Sequence, residues 1–505
     1  MGYWKLAGST AVVALLSGTG AFADVTPEDV WQNWQDMAAS TGQTIAAESA
    51  ERDGDDLVVS GVSITMDKDG VKVDGSIETM TFSDQGDGTV ELTMSDSFAV
   101  NVTSPAAEAG GAPTDLAITV SLPGAVTIAS GTPEAIGYAL TAPQVDASFT
   151  VPNAADASKT DATVTLSATN LTETYSVEVM GEARKVAGEF AAEAVTFAMT
   201  GTDAEAQSDV DFTMTAANVG GKFGGNFLGT EAMEDMAAAL KAGFAMDFAL
   251  SYGATSFDLA VTEATGPSKI TGTAEGGDMS FAMDINRLQY GASGRKAAFA
   301  MSSPDIPFPE MKLGYDEATF NLVMPVSKSD QPADFVFLTR LVGLTVSEEI
   351  WAMADPTGQL PHDPATLIVD TKGQTTLTAD LMDTAAMEGM GEASPFLLNA
   401  LDILELKLAM LGAELTGAGS FTFDNSDMTT FAGVPAPTGK VELKLTGANA
   451  LIDKAVAMGL ITQDDAAGYK MMVSMFANVA PDKDEMTSVL EFKDKGFYAN
   501  GQRLQ

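Results

Sequence analysis

From Leu57 onward, large apolar side chains alternate with small, polar or acidic ones. That period of two belongs to strands that bury one face. Leu57 to Met66 and Val71 to Phe82 are two such runs, joined by a tight turn at Asp67-Lys68-Asp69-Gly70. Asp84 to Gly88 turns again before Val90, Leu92 and Met94, so the pattern predicts a meander of hairpins. The rhythm is clearest between Val195 and Met301. Phe244, Met246, Phe248, Leu250 and Tyr252 share one face, while Ala245, Asp247, Ala249, Ser251 and Gly253 share the other. Phe257, Leu259 and Val261 repeat the division, as do Met279, Phe281, Met283 and Ile285. Phe-Ala-Met recurs at 197, 244, 281 and 299, at irregular intervals, which marks a strand preference and not a repeat unit.

Helical spacing breaks in at a few places. Thr26 caps a first helix, with Pro27, Glu28 and Asp29 in its first turn and Val30, Trp34 and Met37 on one face. A short helix is predicted between Ala232 and Gly243, and another over Asp334 to Leu341, ending near Gly343. Ser347, Glu348 and Glu349 open a further turn carrying Trp351, stopped by Asp355-Pro356. Leu404, Leu406, Leu408 and Met410, and then Val441, Leu443 and Leu445, return to strand alternation. Two helices follow, over Ala450 to Met458 and Gln463 to Ala477, before a hairpin at Asp494-Lys495-Gly496. Ser104 to Pro113 reads as a long loop, and Gly220-Gly221-Lys222-Phe223-Gly224-Gly225 as a flexible turn or a bend in a sheet. The fold class is therefore mainly β with some α: an elongated antiparallel β-meander, rolled or groove-like, with a short N-terminal helix and a C-terminal helical pair. The expected organisation is a signal peptide over 1–23, a β-meander region over 24–330, and an α+β region over 331–505 that continues the sheet.

The signal peptide rests on Lys5, the apolar run Leu6 to Leu16, and Ala21-Phe22-Ala23, with cleavage between Ala23 and Asp24. It implies a periplasmic or secreted protein. The chain has 505 residues and no cysteine, so neither a disulfide framework nor a thiol ligand is available. Its 70 acidic and 26 basic residues leave a net charge of −44. That surface repels nucleic acid and anionic headgroups, which require clustered Lys and Arg. No later segment reads as a membrane span, since the apolar stretch Phe396 to Leu411 carries Asp402, Glu405 and Lys407.

Catalysis has few candidates. His362 is the single histidine, set in Leu360-Pro361-His362-Asp363-Pro364, and no Gly-x-Ser-x-Gly elbow accompanies it. Asp53-Gly54-Asp55-Asp56, Asp67-x-Asp69-Gly70 and Asp84-x-x-Asp87-Gly88 miss the register of an EF-hand and suit hairpin turns. No catalytic residue, metal ligand or cofactor is assigned.

Trp351-x3-Asp355-Pro356-x3-Leu360-Pro361-x2-Pro364, Gly417-x-Gly419-Ser420-Phe421, Val434-Pro435-x-Pro437-x-Gly439 and Leu451-Ile452-Asp453 resemble an uncharacterised family of exported bacterial proteins, which implies no activity. A looser likeness links the one-faced strands, and Gly496-Phe497-Tyr498-Ala499-Asn500-Gly501, to AsmA-like periplasmic β-groove proteins. It implies a groove for lipid or another apolar chain. The expectation is a non-enzymatic envelope protein that binds lipid or another hydrophobic ligand along Phe244, Met246, Phe248, Leu250, Phe257, Leu259, Met279, Phe281 and Met283. The alternative is a structural or assembly factor that engages an envelope protein through its acidic surface.

Overall fold

The computed structural model describes residues 24–68, 70–105, 114–152, 160–181, 183–203, 208–391, 393–480 and 482–505. The expected signal peptide over 1–23 and most of the expected loop Ser104 to Pro113 fall outside these residues.

Among the described residues, 27 strands form a single sheet. Every pairing is antiparallel, and most join strands next to each other in sequence. The longest strands, Thr160–Met180, Ala183–Asp203 and Ser208–Phe227, stand side by side near its middle. Pairing of Met311–Met324 with Ala333–Val346, and of that strand with Ala365–Leu377, carries the sheet across position 330. Among the described residues the two ends of the sheet do not pair with each other. One end is made by Thr44–Ala46 and Ser49–Asp53 and the other by the hairpin Glu485–Lys493 and Gly496–Ala499.

Among the described residues six α-helices accompany the strands. Helix α1 (Pro27–Ser40) begins with a reciprocal cap, in which the Asp29 amide donates to the Thr26 hydroxyl and the Thr26 amide to the Asp29 carboxylate. It seats Val30 on Leu57, Val59, Phe82, Val90, Leu92 and Tyr138, the most thoroughly buried cluster of the protein. Trp31 and Trp34 meet Phe82 edge-on, with ring centroids 6.0 and 6.5 Å away. The Tyr138 hydroxyl donates to the buried Asn33 side chain at 2.7 Å. Helix α2 (Met236–Lys241) packs Ala239 and Leu240 against Phe244, Met283 and Val326. Short helices α3 (Glu348–Ala354) and α4 (Thr384–Met390) stand in connections between strands. Helices α5 (Ala448–Ala457) and α6 (Gln463–Phe476) lie between the strands Ala436–Thr446 and Glu485–Lys493.

Two local expectations are corrected. Asp334 to Leu341 is strand, not helix: Phe337 faces Leu322 on one side and Thr371 on the other. The unbroken apolar stretch Phe335 to Leu338 carries no distinguishing period, and its aromatic and branched side chains suit a pleat. Of the two readings of Gly220–Gly225, a turn or a bend in a sheet, the turn is overturned, since the segment is strand interior. Its glycines make room for rings, since a Cβ on Gly221 would come within 2.6 Å of the Phe190 ring.

A crease crosses the sheet. Asn170, Asn218, Lys296 and Gly343 adopt the left-handed conformation in mid-strand, with φ of 49°, 50°, 47° and 70°. Pairing keeps the same register on both sides: Thr169 faces Ala194 and Thr172 faces Ala191. The odd-even phase of the apolar residues slips by one at each point. Leu166 and Ala168 precede Asn170, whereas Leu171 and Tyr175 follow it. One extra residue per strand thus keeps the same side apolar beyond the crease. In agreement, a Cβ on Gly294 would sit 3.1 Å from the Tyr315 hydroxyl, which reaches it from the far side of the line. Polar pairs tie the crease together, Asn170 to Glu193 at 2.5 Å and Lys296 to Glu275 at 2.9 Å.

The bond between Tyr138 and Asn33 anchors α1 in the core. Tyr138→Phe leaves the buried Asn33 oxygen unpaired, and we expect a loss of about 1–3 kcal/mol in the first urea transition. An unchanged midpoint would show that packing alone holds α1.

Candidate functional site

Cross-strand neighbours share a face, so a single row of side chains can be followed from Val90, which pairs with Asp84, to Ala499 near the other end. It runs Val90, Ala129, Tyr138, Tyr175, Gly188, Phe223, Phe248, Phe281 and Tyr290. It continues through Leu322, Phe337, Thr371, Ile403, Gly419, Val441, Leu490 and Ala499. No member is ionisable below the range of tyrosine. At 4.7–4.9 Å per strand the contour is about 75 Å. The opposite face carries exposed cross-strand ion pairs, among them Lys222–Glu189 at 3.6 Å, Arg295–Asp278 at 2.9 Å and Lys444–Glu485 at 3.0 Å.

Three helices cover parts of the apolar face. Helix α1 covers its N-terminal end through the cluster around Tyr138 and Leu92. Helix α6 covers the C-terminal end, where Met472, Val473 and Phe476 enclose a cavity of about 280 Å³ with Leu415, Leu443, Leu445 and Leu490. Helix α2 covers a margin formed by Met246, Phe281, Met283 and Leu288. Between them large side chains remain open to solvent: Phe248 is 36% exposed, Tyr290 40%, Met279 41% and Leu408 40%. A single exposed apolar side chain needs no explanation, but a contiguous series does.

A hollow on this face has a volume of about 870 Å³. It follows the row beside the one traced above: Leu140, Glu173, Phe190, Gly221, Leu250, Met279, Ala292 and Phe320. Seven of the eight are apolar or glycine; the eighth is a carboxylate. Burial raises the Glu173 carboxyl above its ordinary range. Burial first, and then the charge of Glu173, pushes the neighbouring Tyr175 phenol up. Tyr175 itself stacks on Tyr138 at 4.8 Å.

The nine residues singled out on the sequence divide into three groups. Phe248, Leu250 and Met279 meet at the open surface, Leu250 and Met279 within the hollow. Phe244, Met246, Phe281 and Met283 join the cluster beneath α2, where Phe244 is only 3% exposed. Phe257 and Leu259 stand beyond the crease, and the Phe257 ring lies between Phe212 and Phe299 at 6.3 and 6.1 Å. Asp24 is exposed, while Ala23 is outside the described residues. The pattern reading missed Leu140, Glu173, Phe190 and Phe320. Glu173 carries a signal of its own, an acid in the phase of Leu171, Tyr175 and Val177.

The other candidate chemistry resolves into local structure. His362 stacks flat on Trp351 at 4.3 Å and meets Glu348 at 3.2 Å. Asp355, beside it, takes the Leu360 amide at 2.6 Å, and that bond holds its carboxyl below the usual range. Asp84 and Asp87 accept amides of their own turns, from Gly86 and Thr89. Among the described residues no three His, Cys, Asp or Glu side chains gather as metal ligands. No helix there is long and apolar enough to cross a membrane.

A family model described as an uncharacterized protein conserved in bacteria (DUF2125) matches residues 238–501. The chain belongs to this family. The DUF2125 match opens inside α2 and reaches the last hairpin, so it includes α6 and the Leu250, Met279 and Phe320 wall of the hollow; Glu173 and Phe190 precede it. No curated protein and no solved structure matches the chain.

Glu173 has a stability signature. Its folded carboxyl binds a proton more tightly than the unfolded one, so it weakens the fold as pH rises through and above its ordinary pKa of about 4.3. Where both states are protonated it contributes nothing. Glu173→Gln should therefore raise the melting temperature at pH 7 and leave it unchanged below about pH 4. Equal melting at pH 7 would contradict the burial of this carboxylate.

Proposed function

We propose that this chain is a non-enzymatic protein of the bacterial envelope whose sheet forms a groove that holds lipid or another long apolar ligand. The observation that carries this reading is the long uncharged, largely apolar row with its solvent-open middle and its helix-covered ends. Leaving such a surface in water forgoes about 25 cal/mol for every Å² that a ligand would cover. The envelope assignment rests on Lys5, the apolar run Leu6 to Leu16 and Ala21-Phe22-Ala23. A second reading draws on the acidic outer face, with its net excess of carboxylates: an assembly factor that engages a basic envelope protein.

Organic extraction of the purified protein, followed by mass spectrometry, should recover lipid. A fluorescent fatty acid should bind, and Phe248→Asp with Met279→Asp should weaken it by about tenfold or more with little change in melting, because both side chains are already partly exposed. No co-purifying lipid together with no uptake would remove this reading. Capture of an envelope protein that disappears at high salt would favour the second, since screening abolishes surface attraction but spares apolar contact.

A further inference from the structure

Resting on that reading, we propose that Glu173 is the polar anchor of the 870 Å³ hollow and selects amphiphiles that join a cationic, hydrogen-bond-donating head to an alkyl or acyl chain. The hollow is in the size range of a ligand site. Glu173 sits within it between Leu140 and Phe190, its cross-strand neighbours on the apolar face. Beyond Phe190 this row continues as Gly221, Leu250, Met279, Ala292 and Phe320, an apolar stripe for a chain to lie on, while the polar residues that also border the hollow there, among them Lys222, Asp278 and Asn321, stand in the alternate phase of their strands. Among the described residues no cation or hydrogen-bond donor engages this carboxylate, and burial is the one influence acting on it. A partly desolvated carboxylate without a partner is costly, so its presence there calls for a group that answers its charge.

The described residues do not supply that group. Lys222 also borders the hollow, but its ammonium turns to the outer face and pairs with Glu189 at 3.6 Å. An anionic head is disfavoured by Glu173 itself and by the net charge of −44. A neutral alcohol would gain a hydrogen bond without the charge. An ammonium gains both, in a setting where water screens poorly.

The test is calorimetry or dye displacement with dodecylammonium, dodecanol and dodecyl sulfate, each below its critical micelle concentration and at about 0.15 M salt. It compares the full protein with Glu173→Gln, which keeps the shape and changes the net charge by one. The protein should bind dodecylammonium about tenfold or more tighter than dodecanol, and dodecyl sulfate weakest. Glu173→Gln should bind dodecylammonium and dodecanol alike, with dodecanol unchanged. Thermal melting establishes that the variant is folded. A cation preference that survives in Glu173→Gln comes from the diffuse surface charge and overturns the anchor. Dodecanol bound equally by both proteins, with no cation preference in either, overturns the anchor and leaves the apolar groove standing. Failure of all three amphiphiles to bind overturns both.

Discussion

The structure depends on keeping one side of a very wide, single-layered sheet apolar from end to end. A sheet that closed on itself, or packed on a second, would hide this face as an ordinary core. Among the described residues neither happens, and helices α1, α2 and α6 shelter parts of it. Phase is therefore the quantity under constraint. A slip of one residue in any strand would place phenylalanine and methionine among the ion pairs of the opposite face. The crease makes the same demand more severe, because every long strand crossing it must take its extra residue at a matching height. Asn170, Asn218, Lys296 and Gly343 meet that requirement in four of those strands.

Helices and strands divide the work accordingly. At the N-terminal end α1 brings two tryptophans and a hydrogen-bonded asparagine, and the side chains beneath it are nearly water-free. At the C-terminal end α6 is looser, with Met471 and Met475 more than 60% exposed and a small cavity below. In the stretch between, rings settle over glycines: Phe190 over Gly221, Phe223 over Gly188, Phe257 over Gly272. Each such pair shields backbone that a one-layer sheet would otherwise present to water.

The period of two in Val90-Leu92-Met94, Met279-Phe281-Met283 and Val441-Leu443-Leu445 made the meander legible in the sequence, because alternation on one face is the direct imprint of a pleat. Two things were not legible. Ala333–Val346 sets apolar residues side by side, Phe335 to Leu338 and then Leu341-Val342, so its sequence carries no clean period from which to choose strand over helix. The crease is equally silent, since an asparagine or lysine in a left-handed conformation looks like any polar residue in a strand. Grouping the nine apolar candidates by face alone consequently merged three environments, a covered cluster, an open hollow and a bank beyond the crease. Glu173 was visible as an acid in an apolar phase. Its significance required knowledge of which strands stand beside it, and that pairing comes from three dimensions.

Because each strand mostly pairs with its neighbour in sequence and the margins never meet, nothing in the geometry dictates the number of strands. Adding or deleting one hairpin would lengthen or shorten the sheet by about 10 Å, two strand spacings, and leave both termini of the assembly undisturbed. Reach along the surface is thereby a modular property of this architecture, adjustable in steps independently of the devices that close its ends.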